Sequence, residues 1–592
     1  MLLNAVRQYI ESSVDQDTKF SVSYIEGYNF GHVSSNVAMV LAQKENKNPI
    51  DLAIQIANKI INEDKRDDSE ADSVIKTFSS VEVAGPGFIN FTFSDEYLLN
   101  ILNIDPEDIN NNIKSKNING LMDKEVLVEY TDPNPFKVFH IGHLMTNIIG
   151  EAIANIYEFS GAKVKRINYQ GDIGRHIAIS IFAILKEDNY NKFLTLKSDE
   201  TIDLKQKVKW LGERYAEGYK DFDGEENDAN EDAAVKSGSV IYQVTDINQK
   251  IYERSDDKVN EVYDIGKKWS MDYFEILYKL LGTKFDKYIM ESEAAPIGTV
   301  SVVDNTRPKG RKVFEEGDGG AVIYNGEEEG LHNRVFINRN GLPTYEAKDL
   351  GNMELKLKYY PNISQSIVIT GNEQNDYFKV LYQAIHKLNP ELKNKLLHFG
   401  HGMMRFADGK MGSRKGNVIS AEQLIENVKE NLLGKFDNSK ISEQQEKDFV
   451  LEKSAIAAIK YTVLKQAIGR DIVFDMEKVV SIEGDSGPYL QYTYARFNSV
   501  SKKEKVIIDI NEQNRLLILD LCKYEDILLE VIENKSPQKL VTYLIELARS
   551  SNSWYAENRI ADNEQNEYLA YKVKSILSSG LNILGIYAPE KM

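Results

Sequence analysis

A strand, a proline-broken loop, a helix and a second strand follow one another between Val126 and Tyr169, and few folds accept that succession. Val126-Leu127-Val128 is a short aliphatic run of the kind buried on both faces. Pro133 and Pro135 break the chain after it, apolar residues then fall at helical spacing from about Ile141 to Phe159, and Val164 to Tyr169 reads as the second strand. Strand, helix, strand in this order opens a parallel α/β domain, whose ligand site lies beyond the carboxyl ends of its strands. The loop at 131–140 is therefore where chemistry is expected.

The chain has 592 residues, too many for one hydrophobic core, so roughly three to four domains are expected. Residues 1–115 begin with helical patterns such as Val37, Val40, Leu41 and Ile54, Ile56, Ala57, Ile60. They end in Val81-Glu82-Val83, Gly85-Pro86-Gly87 and Phe88 to Phe93, a turn between strands that predicts a small α+β domain. The Asn-rich stretch Asn110 to Asn117 reads as a linker. Residues 120–425 hold the α/β domain, with an insertion at about 190–330 of charged helical and turn-rich segments, Gly317-Asp318-Gly319-Gly320 among them. The α/β pattern resumes with Arg334 to Ile337, a helix around Tyr345 to Leu357, a strand at Ser366 to Thr370, and a helix placing Phe378, Leu381, Ile385 and Leu388 on one face. Residues 426–592 are helical in pattern and predict an all-α domain.

Hydrophobic residues make up 42% and charged residues 28%, ordinary globular usage. At the N-terminus Leu3, Val6 and Ile10 are interrupted by Arg7, Glu11 and Asp15, unlike a signal peptide, and no segment offers the uncharged apolar run of a membrane span. A soluble, cytoplasmic, monomeric protein is expected. The single cysteine, Cys522, can form neither an internal disulfide nor a thiolate zinc cluster and lies among Leu517, Leu521 and Leu528, so a packed side chain and no structural metal are expected. The net charge of −19 weighs against nucleic-acid binding, but total charge does not say which face is basic.

Two motifs carry chemistry. His140-Ile141-Gly142-His143 opens a helix directly after a strand and loop, so two imidazoles sit on the first helical turn, where free backbone N–H groups and the helix dipole favour phosphate. Gly142 leaves room for a nucleotide to approach the backbone. Two ordinary histidines near a helix start are the bland alternative. The second motif is Lys410-Met411-Gly412-Ser413-Arg414-Lys415-Gly416-Asn417, following the second half of the α/β pattern. Such a run is usually a solvated loop, but here Lys410, Arg414 and Lys415 could close over a triphosphate.

HIGH followed by a KMSKS-like loop resembles the pair of signatures of class I aminoacyl-tRNA synthetases, and the text Val128 to Leu144 resembles the arginyl-specific form. Gly85 to Asn90, Asn168 to Gly174, Gly487 to Tyr492 and Leu584 to Met592 resemble the same arginyl family. The resemblance implies a small α+β N-terminal domain that contacts the tRNA elbow, a Rossmann-like catalytic domain and a helical anticodon-binding domain. It implies ATP with Mg²⁺, arginine and tRNA(Arg) as reactants, and arginine activation that requires bound tRNA. Its arginine ligands fall on Glu129, Asn134, Tyr345, Asp349 and Gln374, its ATP contacts on His140, Gly142, His143, Gly402, Met404, Lys410 and Arg414, and its catalytic groups on Lys137, His140, His143, Lys410 and Lys415. A guanidinium offers a planar fork of donors that carboxylates accept in pairs, which suits Glu129 or Asp349.

Ser413 stands where the second KMSKS lysine would be, Gly412 stands for the usual serine, and Met145 replaces an arginine common after HIGHL. The resemblance implies that Lys137, just upstream of HIGH, takes over from the missing lysine. Another HIGH nucleotidyltransferase and a catalytically dead tRNA-binding paralogue are the rival readings. The length beyond one nucleotide-binding domain weighs against the first; intact His140, His143 and Lys410 weigh against the second.

Overall fold

The structure, a computed structural model, describes residues 1–15, 18–66, 76–118, 120–226, 238–306, 313–407, 419–435, 441 and 443–592. They fall into two compact units, one of Met1–Gly120, Phe436–Val450 and Ser481–Met592, the other of Leu121–Lys435 and Leu451–Val480.

The second unit is built on a five-stranded sheet among the described residues, in the order Leu396–His401, Ile363–Gly371, Glu125–Glu129, Lys163–Gln170, Lys287–Met290, with every neighbouring pair parallel. Val126, Leu127 and Val128 are fully buried, as a central parallel strand with both faces covered requires. The helix Ile141–Phe159 makes the first crossover and lies so close to the chain leaving the first strand that a Cβ on Gly150 would fall 2.2 Å from the Tyr130 ring. From Glu125–Glu129 the chain builds outward in one direction and then returns to build in the other. The crevice between the first strand and Ile363–Gly371 is thus the topological switch point where ligands of such sheets bind.

Two sequence expectations are corrected here. Arg334–Ile337 does not rejoin the main sheet but forms the edge of a three-stranded antiparallel sheet with Val322–Tyr324 and Glu315–Glu316. The strand that does extend the main sheet, Lys287–Met290, lies inside the stretch read as insertion, and with four residues and a single buried position it is too short to show a pattern. The insertion helices include Leu204–Glu226, Val240–Glu253 and Asp257–Leu281.

The helices Glu291–Thr306 and Tyr345–Tyr359 cross backbone to backbone. A Cβ on Gly298 would sit 1.7 Å from the Ala347 carbonyl oxygen and one on Gly351 2.0 Å from that of Ala294. Glu291 begins one of these helices and Tyr345, Lys348, Asp349, Asn352 and Lys356 lie on the other, so this contact sets the spacing of the site. Gly351→Ala should cost about 1–3 kcal/mol through overpacking, more than the roughly 1 kcal/mol gained in helix propensity. Chemical denaturation should show a lower midpoint; an unchanged one would mean the two helices separate freely.

In the first unit an antiparallel sheet, ordered Val22–Tyr24, Val33–Ser35, Phe88–Phe93, Phe78–Ala84, packs with helices, and Gly85 and Gly87 make the turn between its last two strands at φ 53° and 116°. The Asn-rich linker is also corrected, because Pro106–Ser115 is a helix. Pro106 occupies the first turn, where its missing N–H costs nothing, and Ile109 and Ile113, four apart, are buried. The sheet domain and the C-terminal helices are joined through partly buried polar pairs. Tyr24 donates to Asp526 at 2.7 Å and Tyr28 to Asp520 at 3.1 Å, and the Lys523 ammonium lies 5.2 and 4.7 Å from the two rings. Lys572 pairs with Asp105 at 2.9 Å. Cys522 is buried beside the Leu98 carbonyl, as its apolar neighbours predict.

Candidate active site

The residues that converge at the switch point lie at or just beyond the carboxyl ends of the main-sheet strands Glu125–Glu129, Lys163–Gln170, Lys287–Met290 and Ile363–Gly371, or on the helix Tyr345–Tyr359. The loop after the first strand is strained, with Thr131, Asp132 and Phe136 at φ 80°, 45° and 66°, a left-handed conformation that non-glycine residues hold only where their surroundings demand it. The Phe136 ring, buried, fills the space over Gly266, and its N–H donates to Ser270 at 3.0 Å, which fixes the loop on Asp257–Leu281.

His140 is the N-cap of the helix Ile141–Phe159. Its Nδ1 accepts the Gly142 N–H at 3.0 Å, while His143 Nδ1 accepts the His140 N–H at 3.3 Å. The two rings stack with centroids 3.7 Å apart. With both Nδ1 atoms used as acceptors, each neutral ring carries its proton on Nε2, an N–H donor for an incoming ligand. Burial, with Lys137 nearby, lowers the His140 pKa to about 4, and burial with the charges of His140 and Lys137 holds that of His143 well below the usual imidazole value. A Cβ on Gly142 would lie 2.8 Å from His140 Cε1, so the space left by that glycine is taken by the imidazole.

Glu129, buried at the end of the first strand, accepts from Lys356 at 2.8 Å and from Asn352 Nδ2 at 2.9 Å. Asp349 accepts from the Tyr377 hydroxyl at 2.5 Å. Burial raises its pKa to about 8; Tyr377 opposes this, and the charges of Glu129 and Glu291 add to it. Asp132 accepts the Tyr169 N–H at 2.8 Å, and burial followed by the charge of Glu129 holds it well above the usual carboxylate range. Glu291 pairs with Lys348 at 2.8 Å, both almost wholly buried. Burial works against the Lys348 ammonium, but Glu291 together with Tyr252 and Tyr345 outweighs it and its pKa is raised. Two ion pairs are thus complete, and among the described residues Asp349 and Asp132 have no cation of their own. A cation bearing several donors would complete them.

Asn134 lies against Gly171, where a Cβ would meet its Oδ1 at 2.2 Å and Glu291 Oε1 at 3.3 Å. Tyr345, the first residue of its helix, is 62% exposed, with the Lys348 ammonium 5.3 Å from its ring. Gln374 is exposed in the turn after Ile363–Gly371. Gly402 has the Arg470 backbone where a side chain would be, 2.3 Å from an ideal Cβ, and Met404 is buried in a short strand paired with Ile472–Phe474. Lys410, Ser413, Arg414 and Lys415 lie outside the described residues. The chain just after them is described: Ile141 N–H donates to Ile419 O at 3.3 Å and Ala421 N–H to Phe139 O at 2.9 Å, so residues 419–421 are tied to the start of the HIGH helix, with a bridge at His140–Ser420.

The family model described as tRNA synthetases class I (R), catalytic domain, matches residues 108–476, more than half of the chain. The chain belongs to this arginyl class I tRNA synthetase family. The model described as Arginyl tRNA synthetase N terminal domain matches residues 1–93 and the DALR anticodon binding domain matches 490–592. Among curated relatives, the arginine–tRNA ligase of Flavobacterium psychrophilum is 28% identical over 568 residues, covering 92% of this chain and 90% of the relative. That of Bacteroides fragilis is 29% identical over 534 residues and covers 86% of each. The solved arginyl-tRNA synthetase of Thermus thermophilus shares the fold with a TM-score of 0.75 at 22% identity, covering 100% of both chains. That of Plasmodium falciparum does so with 0.72 at 22%, covering 100% of this chain and 99% of its own.

Several groups in this synthetase cleft escape sequence reasoning. Lys348, Asn352 and Lys356 share a helix with Asp349, and their spacing of three to four residues from it or from each other could have suggested one face. Tyr377, Asp132 and Glu291 carry no such signal. Asp172 is also hidden: wholly buried, it accepts from Tyr263 at 3.0 Å, Lys267 at 2.5 Å and both the N–H and hydroxyl of Ser292 at 2.9 and 2.7 Å, and so fixes Glu291 next to Ser292. No helix among the described residues is long and apolar enough to cross a membrane.

Proposed function

We propose that this enzyme joins L-arginine to the 3′-terminal ribose of tRNA(Arg), using ATP as its magnesium complex. What carries the reading is the arginyl-specific match over the catalytic unit together with a cleft in which Asp349 and Asp132 want a cation. Asp349 receives the guanidinium, whose planar fork suits paired carboxylate oxygens, and Glu129, already paired with Lys356, adds a second acceptor. Asn134, Tyr345 and Gln374 hold the rest of the amino acid. The arginine carboxylate attacks the α-phosphorus of ATP, the bond to the bridging oxygen breaks and pyrophosphate leaves. A ribose hydroxyl of the tRNA then attacks the carbonyl carbon, and AMP leaves.

No side chain forms a covalent intermediate; the protein positions reactants and stabilises charge. His140 and His143 donate Nε2–H to the phosphates without bringing a charge that acid would alter near neutrality. Lys137 supplies a positive charge beside them, with Lys410, Arg414 and Lys415 adding more, while the backbone at Gly142 and Gly402, together with Met404, borders the nucleotide. Magnesium, carried on the triphosphate, neutralises phosphate charge. Residues 1–93 contact the tRNA elbow and 490–592 the anticodon.

Pyrophosphate exchange measured with each amino acid, with and without tRNA, tests this. Exchange is expected with arginine alone and only when tRNA is present. Exchange driven by another amino acid would overturn the substrate, and tRNA binding with no exchange at all would make the chain a non-catalytic paralogue.

A further inference from the structure

We propose that Tyr215, carried by the insertion helix Leu204–Glu226, is a positioning residue that holds Lys137 in place for adenylate formation; this rests on the reading of Lys137 as a phosphate-directed lysine. The Lys137 ammonium lies 4.8 Å from the centroid of the Tyr215 ring, within the range where the negative face of an aromatic ring attracts a cation.

The contact is built from both sides. The insertion helix approaches the HIGH-proximal loop so closely that a Cβ on Gly212 would fall 2.7 Å from Val138 Cγ2, the residue after Lys137. On the other side of Tyr215, a Cβ on Gly218 would fall 2.4 Å from the Ile179 carbonyl oxygen, which seats the helix on Arg175–Ile184. Glycine at both places lets the helix come near enough for Tyr215, three residues from each, to reach the lysine. The loop itself is pinned at Phe136 by Ser270 and Gly266 and turns back at Lys137, whose N–H donates to Asn134 O at 3.2 Å. A lysine side chain has four rotatable bonds and loses much rotamer freedom when fixed, so a ring face that selects one conformation shortens the search for the productive one. Burial lowers the pKa of Lys137, and the charge of Glu291 opposes this; the ion partner of Glu291 itself is Lys348. Without Tyr215 the ammonium would be free to fall towards that carboxylate and away from the phosphates.

The insertion is then part of the catalytic apparatus rather than an appendage. The test uses the full-length enzyme with tRNA, arginine and ATP, and reads the rate of adenylate formation, the Michaelis constants for ATP and arginine, and the dissociation constant for tRNA. Tyr215→Phe keeps the ring and should stay within about twofold of the parent. Tyr215→Leu, and Tyr215→Met as a second non-aromatic replacement, should lower the rate about three- to thirtyfold, the range of a partly buried cation–ring contact, with tRNA binding unchanged. In a Lys137→Met background, Tyr215→Leu should cause no further loss. Parental rates in both non-aromatic variants, an equal loss in Tyr215→Phe, or a full additional loss in the Lys137→Met background would each overturn the positioning role while leaving Lys137 in place. A parental rate for Lys137→Met alone would instead remove Lys137 from the chemistry, and the proposal with it.

Discussion

Replacing either imidazole of the HIGH helix should slow adenylate formation by roughly 10²–10³-fold, the usual loss when one preorganised donor to a transition-state charge is removed, while tRNA affinity stays nearly constant. Each ring spends its Nδ1 on a backbone N–H, which leaves Nε2–H as the donor that the proposed function assigns to the phosphates. The same bonds mean that alanine would also remove the cap of Ile141–Phe159, at about 0.5–2 kcal/mol. His140→Asn separates the two roles, because an asparagine oxygen is as good a cap but reaches less far. The Asn variant should keep the parental melting temperature and still lose the rate. The pH dependence has a definite sign. Burial holds the His140 pKa at about 4, so the neutral donor persists as pH falls and is lost only as pH passes down through that value. The rate of the chemical step should therefore show no break near the ordinary histidine value of about 6.5. Parental turnover in both variants would leave the histidines as caps and nothing more.

How much of this was legible beforehand follows from the range over which each signal acts. The first strand, the loop, the HIGH helix and the second strand lie within fifty residues, and periodicity plus proline placement exposes them. Lys287–Met290 could not be read, because a four-residue strand supplies no period and its place in the sheet is set by partners more than a hundred residues away in sequence. The Asn-rich helix Pro106–Ser115 was hidden by composition: its polar residues favour turns in isolation, and only burial of Ile109 and Ile113 in the first unit overrides them. Glu129 and Asp349 could be picked out through resemblance, but not that Lys356 and Asn352 already occupy one of them while Tyr377 holds the other. Those pairings exist only once the helix Tyr345–Tyr359 is laid across the end of the first strand.

That asymmetry between the two carboxylates makes Asp349 the sharper test of amino-acid choice. Glu129 has a lysine within 2.8 Å, whereas Asp349 has a hydroxyl and a set of negative neighbours, so its carboxylate has most to gain from a guanidinium. Asp349→Asn should raise the Michaelis constant for arginine tenfold or more, since a charge-assisted bond of this kind is worth about 1.5–3 kcal/mol and its loss strands a desolvated cation. The constant for ATP should hardly move. A pH effect accompanies it. With its pKa raised to about 8, the empty site holds a proton at neutrality that arginine must displace, so arginine affinity should rise as pH increases from about 6.5 and level off above 8. In the Asn variant that dependence should vanish. Lysine should remain a poor substrate for both proteins, because a site shaped for a planar fork leaves buried acceptors unpaired when a single ammonium enters. Steady-state kinetics with varied arginine at saturating ATP and tRNA, run across that pH range, decide the matter: an unchanged arginine constant in Asp349→Asn would remove the residue from the pocket, and a pH dependence that survived the substitution would assign the proton to Asp132 instead.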